Sequence, residues 1–262
     1  ASMNETRKGK RVKASHRQVR TPLQSLYRKE LKSFFSSYMY VMNSGFGLIL
    51  LAIAAIVLLF IGDPLAAVPE LEGQSASLWT AIIAIVISFT VVLSNTCAPS
   101  ISLEGKRFWI IKSMPVEMRD VLKSKLLVNL TLSLPVVVFA LLLVVISGLL
   151  PLANVACLLA LSVSLALFTP LIGLISNLLF PRMDYKNDIT ALKSGGGVLL
   201  GILFGFLAVI LVGALIFTLG LMLPGGDIII SLCLAASFLV VDLLLWLYLR
   251  GGGARKLSRL PA

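Results

Sequence analysis

Histidine and cysteine are scarce in this chain, and so is charge. Its 262 residues hold one histidine and three cysteines, and charged residues make up only 13%. His16 lies in a polar, basic N-terminal stretch, so no histidine-based acid–base pair can form in the apolar remainder. Cys97, Cys157 and Cys233 sit in or beside apolar blocks without C-x-x-C spacing, which suits small packing residues rather than a redox or zinc site. The sequence has no metal-ligand cluster of Cys, His, Asp and Glu, so no metal is expected. It also lacks a phosphate loop. Gly105-Lys106 has neither the upstream glycine nor the following hydroxyl, and Lys193-Ser194-Gly195-Gly196-Gly197 has these residue types in the wrong order. The chain is therefore expected to be no enzyme, with no catalytic residues and no cofactor of its own.

What is abundant is apolar. Hydrophobic residues make up 58% of the chain and the mean hydropathy is +0.99. A soluble domain carries about 25% charged residues, so the expected class is an all-α, polytopic membrane protein. Six apolar blocks predict spans at about 43–61, 78–96, 126–146, 152–179, 197–223 and 228–249, which together make a transmembrane domain over 42–249. Pro135 should kink the third span, and Pro170 with Gly173 should break or tilt the fourth. The first apolar block begins too late to be a cleaved signal peptide.

The flanking segments are basic. Residues 1–21 form a polar tail expected to be disordered. Over 22–41, Leu23, Leu26, Tyr27, Leu31, Phe34, Phe35 and Tyr38 recur at helical steps, with Arg28, Lys29 and Lys32 mainly on the other side. This predicts an amphipathic helix with Thr21 as N-cap and Pro22 at its first position, lying in the membrane interface or packed on a neighbour. Residues 250–262 read as a closing basic tail. The net charge of +11 does not signal nucleic acid, because its distribution follows topology. All 23 Lys and Arg fall in the N-terminal region, the segment between spans two and three, the segment 181–194 and the C-terminal tail. The opposite loops hold Asp63, Glu70, Glu72 and Asp227 instead. By the positive-inside rule both termini are cytoplasmic.

The central segment 100–125 interrupts the apolar pattern with charges and large apolar residues together. Phe108, Trp109 and Ile111 are candidate anchors for a partner, and Glu104, Lys106 and Arg107 are candidate orienting charges. The alternative is that the aromatics rest in the membrane interface. Pro115 is expected to begin a helix continuing into span three. Gly197, Gly201 and Gly205 form a small-residue ridge, either a helix-packing ridge within the chain or a dimer seam. Asp242 is the one acid inside a predicted span. It reads as a structural hydrogen-bonding group, or as the coupling acid of a secondary carrier half. Asp184 and Asp188, four residues apart, would be the metal pair of a lipid-modifying membrane enzyme, or solvated helix-end charges. Asn95, Asn129 and Asn177 are scattered through otherwise apolar spans, which weakly suits amphipathic or lipid-like cargo.

Three stretches together, LYRKELKSFFSS, SLEGKRFWIIKSMPVEMRDVLKSKLLVNL and LLFPRMDYKNDI, resemble permease subunits of bacterial ABC-2-type exporters. Within these they resemble the putative ABC exporter permease group with an EGK-x-FW…KS-x-P loop. The resemblance runs from about residue 22 to the C-terminus. It implies a subunit in a bacterial cell membrane that pairs with a second permease unit. A separate cytoplasmic ATPase, which binds the ATP and Mg, would dock on Leu23–Tyr38, including Leu26, Arg28 and Lys29, and on Ser102–Met118. Members of the narrower group are often about twice this length, so the chain reads as a six-span unit or as the C-terminal half of a longer permease. The remaining expected partners are membrane lipids, not nucleic acid.

Topology is testable directly. In a cysteine-free background, a cysteine at Gly73 should react with impermeant reagents from outside intact cells, and one at Ser113 should not. Reversed labelling would overturn the orientation.

Overall fold

The computed structural model describes residues 21–65, 68, 74–183, 195–223 and 225–260, without the side chains of Lys106 and Leu221. The N-terminal tail and the Asp184–Asp188 pair lie outside the described residues. All regular structure among the described residues is helical, and six helices are long and apolar enough to cross a membrane.

Helix α1 (Pro22–Ser36) opens with the expected cap. Gln24 N donates to Thr21 Oγ1 (3.3 Å), and Thr21 N donates to Gln24 Oε1 (3.4 Å), so two free N–H groups are satisfied reciprocally. The helix stops at Ser37, whose extended backbone (φ −107°, ψ 105°) also begins α2 (Tyr38–Ile61) by accepting from Tyr40 N. The first span therefore starts earlier than its hydropathy suggests.

Helix α3 (Ser75–Leu93) ends at Ser94, and the chain continues through a short helix α4 (Cys97–Ser100), a 3-10 turn (Ser102–Arg107) and α5 (Phe108–Ser113). Helix α6 (Met118–Ser147) does not begin at Pro115 as expected. Met114, restricted by the following proline, is extended (ψ 144°), and Glu117 is extended too (ψ 138°). The helix starts at Met118, three residues after Pro115. Helix α7 (Leu152–Leu179) runs unbroken through Pro170, and α6 runs through Pro135. Helices α8 (Gly196–Met222) and α9 (Gly226–Tyr248) complete the spans. The expected C-terminal tail is structured: a π turn (Leu249–Gly253) leads into α10 (Ala254–Arg259). Leu249, Leu257 and Leu260 are buried there with Phe108, Ile111, Val121 and Leu122.

Helix α7 is the centre of the bundle, packed against α9, α8, α6, α4 and α3. Of its most apolar window 67% is buried, against 22% for α2 at the periphery. At the end that carries the acidic loops, Trp79 Nε1 donates to Asp63 Oδ1 (2.8 Å). There Asn154 Nδ2 donates to Thr80 Oγ1 (3.0 Å) and to Asp227 Oδ2, joining α3, α7 and α9.

The glycine ridge of α8 faces inward. A Cβ on Gly197 would lie 2.7 Å from Asn177 Cα and from Ser176 O. On Gly205 it would lie 2.5 Å from Val92 Cγ1, and on Gly201 3.4 Å from Ala98 Cβ. These glycines let α8 approach α3, α4 and α7 of the same chain, which is their packing role. Gly197→Ala should therefore lower stability by about 1–3 kcal/mol, the usual cost of overpacking, read as a lower unfolding temperature in detergent. Gly201→Ala should cost less, because its methyl meets only ordinary contacts. Loss of an assembly with no loss of chain stability would return the ridge to an intermolecular seam.

Candidate functional site: a charged clamp at the basic end

The basic end of the bundle is built around Lys125. Helical phase places it on the same face of α6 as Val121, Leu122, Val128 and Asn129, all buried. A lysine on that face has to find partners or unfold its surroundings. Its side chain is 2% exposed, and Nζ donates to Glu30 Oε2 (2.9 Å), Glu104 Oε1 (3.0 Å) and Ser100 O (3.1 Å). All three ammonium protons are thus used. Lys29 Nζ closes the cluster from outside, 2.8 Å from Glu104 Oε1 and 3.3 Å from Glu30 Oε1. Two lysines and two glutamates from α1, the 3-10 turn and α6 therefore neutralise one another. Tyr40 Oη donates to Thr96 O (2.6 Å), fixing the start of α2 to the residue that precedes α4.

Gly105 makes this geometry reachable. Its backbone (φ 46°, ψ −133°) lies where a side chain is disfavoured, and the turn it permits directs Glu104 inward while Arg107 stays exposed. Three asparagines hold the same segment, Asn95 from within it, Asn129 from α6 and Asn177 from α7. Asn95 Oδ1 accepts from Cys97 N (3.0 Å) and Ala98 N (3.1 Å), and its Nδ2 donates to Thr169 O (2.8 Å). Asn129 Nδ2 donates to Ser94 O (3.0 Å) and Thr96 Oγ1 (3.1 Å). Asn177 Oδ1 accepts from Ile101 N and Ser102 N (both 2.9 Å), and its Nδ2 donates to Ser102 Oγ (3.0 Å). These side chains fasten a break in the backbone.

The residues singled out from sequence divide accordingly. Leu26, Phe108 and Ile111 are buried in the chain's own core, so none of them can reach a partner. Glu104 and Lys29 belong to the clamp, while Arg28 and Arg107 are exposed. The Lys106 side chain lies outside the description. On α5 the exposed apolar residues are Trp109 (57%) and Ile110, followed by Met114. Lys112 reaches the other way, donating to Leu260 O and ties α5 to the C-terminal end. A cleft of about 150 Å³ opens between α1 and α5, lined by Lys29, Ser33, Tyr40, Arg107, Ile110 and Met114 among others. Sequence reasoning missed Glu30 and Lys125. The available signals were that Glu30 is the only acid of α1 and that Lys125 falls on the apolar face of α6.

With this geometry in view, one comparison is decisive. The profile of a family described as "membrane protein of 12 TMs" matches residues 1–249. The chain belongs to that family. No curated protein matches it at a significant level. This member of the 12-TM family carries six candidate spans among its described residues, half the number in the family's description. Groups of three or more Cys, His, Asp or Glu side chains able to hold a metal are absent among the described residues.

The clamp predicts an order of sensitivity. Lys125→Met leaves two carboxylates facing each other inside the chain and should destabilise by about 3–5 kcal/mol. Lys29→Met removes a lysine whose side chain is 40% exposed and should cost about 0–1 kcal/mol. Thermal unfolding in detergent reads both, and equal effects would show that Lys125 is not the keystone.

Proposed function

We propose that this chain is the membrane-spanning subunit of an ATP-driven ABC-2-type exporter, with the basic end and both termini in the bacterial cytoplasm. In this reading a separate ATPase subunit binds ATP and Mg and docks on the basic end. A second six-span unit, another copy or another half of the same transporter, completes the permease. The observation that carries the reading is a segment fixed on one side and open on the other. Phe108 and Ile111 hold α5 to the core, while Trp109, Ile110 and Met114 stand exposed beside Arg107. A large aromatic held in a fixed frame is the type of residue that dominates protein docking.

The frame also explains how motion would travel. The segment from Asn95 to Ser113 is bonded to α1 and α6 through Glu104, and to α6 and α7 through Asn129 and Asn177. A partner pushing on α5 displaces several spans together. Membership of a family of 12-span membrane proteins supports a transporter-like role in general, and the loop resemblance supports the ABC-2 class in particular.

The decisive experiment is co-purification of the chain with an ATP-binding subunit and measurement of vanadate-sensitive ATPase activity. Trp109→Ala should weaken that association at least tenfold while leaving insertion and unfolding temperature unchanged, because its side chain lies outside the core. A Trp109→Ala variant that binds the ATPase and transports at the unaltered rate would show that Trp109 rests among lipids, and would remove the docking site.

A further inference from the structure

Among the described residues, Asp242 is the one buried carboxylate that the packing leaves unanswered. It is 5% exposed in α9, and neither side-chain oxygen has a hydrogen-bond partner. Asp227, in the first turn of the same helix, shows the contrast: it is equally enclosed, yet Oδ2 accepts from Asn154 Nδ2. The elements packed chiefly against α9 are α7, α8 and the Leu249–Gly253 turn, with α3 more lightly. Helices α3 and α8 carry no ionisable residue, and α7 carries only Cys157, near its acidic-end start. On α9 itself are Asp227 and Cys233 toward the acidic end and Tyr248 toward the basic end. Arg250 is exposed, about 12 Å further along the axis at 1.5 Å per residue. Beyond it Arg255, Lys256 and Arg259 lie on α10.

An ionised carboxylate in such surroundings bears an uncompensated desolvation cost, whereas a neutral carboxyl bears only that of a polar group. Metal cations such as calcium take six to eight oxygen ligands, and here a single carboxyl stands alone. A proton needs no further ligand. A second feature lies about two to three turns away. The π turn Leu249–Gly253 ends in Gly251, Gly252 and Gly253, and both a π turn and a glycine run are points where a helix end can move.

We propose that Asp242 is a proton-binding site between α7 and α9. Its carboxyl holds the proton while α9 is packed against α7. The O–H bond breaks, and the proton passes to water, when the basic end of α9 loosens at the Leu249–Gly253 turn and water reaches the carboxyl. The carboxylate left behind carries one negative charge, and return of the proton lets the helix repack. Proton occupancy and the packing of α9 are thereby linked, whatever cargo the protein handles.

Infrared spectroscopy of the full chain in lipid nanodiscs tests this. At neutral pH the spectrum should contain a protonated-carboxyl C=O band that is absent from Asp242→Asn and retained in Asp227→Asn. A carboxylate signature for Asp242 at neutral pH overturns the proposal. Should Asp242→Asn fail to fold, wild-type chain labelled with 13C at the aspartate carboxyl carries the test. A downshifted protonated-carboxyl band is expected, and its absence overturns the site. The hinge is read separately. A methyl at Gly251 meets nothing within 4 Å, so Gly251→Ala should stiffen the turn and slow the deuterium shift of that band several-fold. An unchanged exchange rate overturns the hinge.

Discussion

A broken helix at the edge of an apolar bundle leaves backbone N–H and C=O groups that water does not satisfy, and each costs several kcal/mol if left alone. The chain breaks at Ser94–Thr96, and the fold depends on how that break is answered. Asn95 answers it locally and Asn129 from α6, while Asn177 from α7 satisfies the next break, at Ile101 and Ser102. Gly173 gives Asn95 its seat, since a Cβ there would lie 2.5 Å from Asn95 Nδ2. Once these bonds are made, α4, the 3-10 turn and α5 have fixed positions, and Glu104 can be presented to Lys125.

Between lipid tails, apolar surface alone gives helices little reason to associate. The bundle accordingly places its directional contacts near its two ends and relies on close packing between them. Asp63–Trp79 and Thr80–Asn154–Asp227 tie one end, and the lysine–glutamate clamp ties the other. In the middle, glycines on α8 bring backbones together, and edge-to-face pairs such as Phe168–Phe238 (5.1 Å) fill the space. Among the described residues, the Asp242 carboxyl and the Ser44 hydroxyl depart from this division, each buried without a bond.

The six spans, the capped first helix and the small-residue ridge were legible because each depends on local composition or on a period along the chain. Other features depend on partners far away in sequence. Nothing near Asn177 indicates that its amide will serve Ile101 and Ser102, more than seventy residues earlier. The orientation of α5 was equally hidden. A helix of six residues makes fewer than two turns, so periodicity could not decide that Phe108 and Ile111 face inward while Trp109 faces out. The C-terminal helix was masked by its charges, although Leu249, Leu257 and Leu260 mark a buried side. Lys125 was counted among the loop charges because its residue type outweighed its position on the helix.

The clamp also has a place in time. Glu30 and Lys125 are 95 residues apart in the chain. At a synthesis rate of about 5–20 residues per second, the lysine follows the glutamate by roughly 5–20 seconds. During that interval Glu30 has only its neighbour Lys29 as a counter-charge. The packing of α1, which is chiefly against α6, and the clamp itself can be completed only when α6 has emerged with its buried charge.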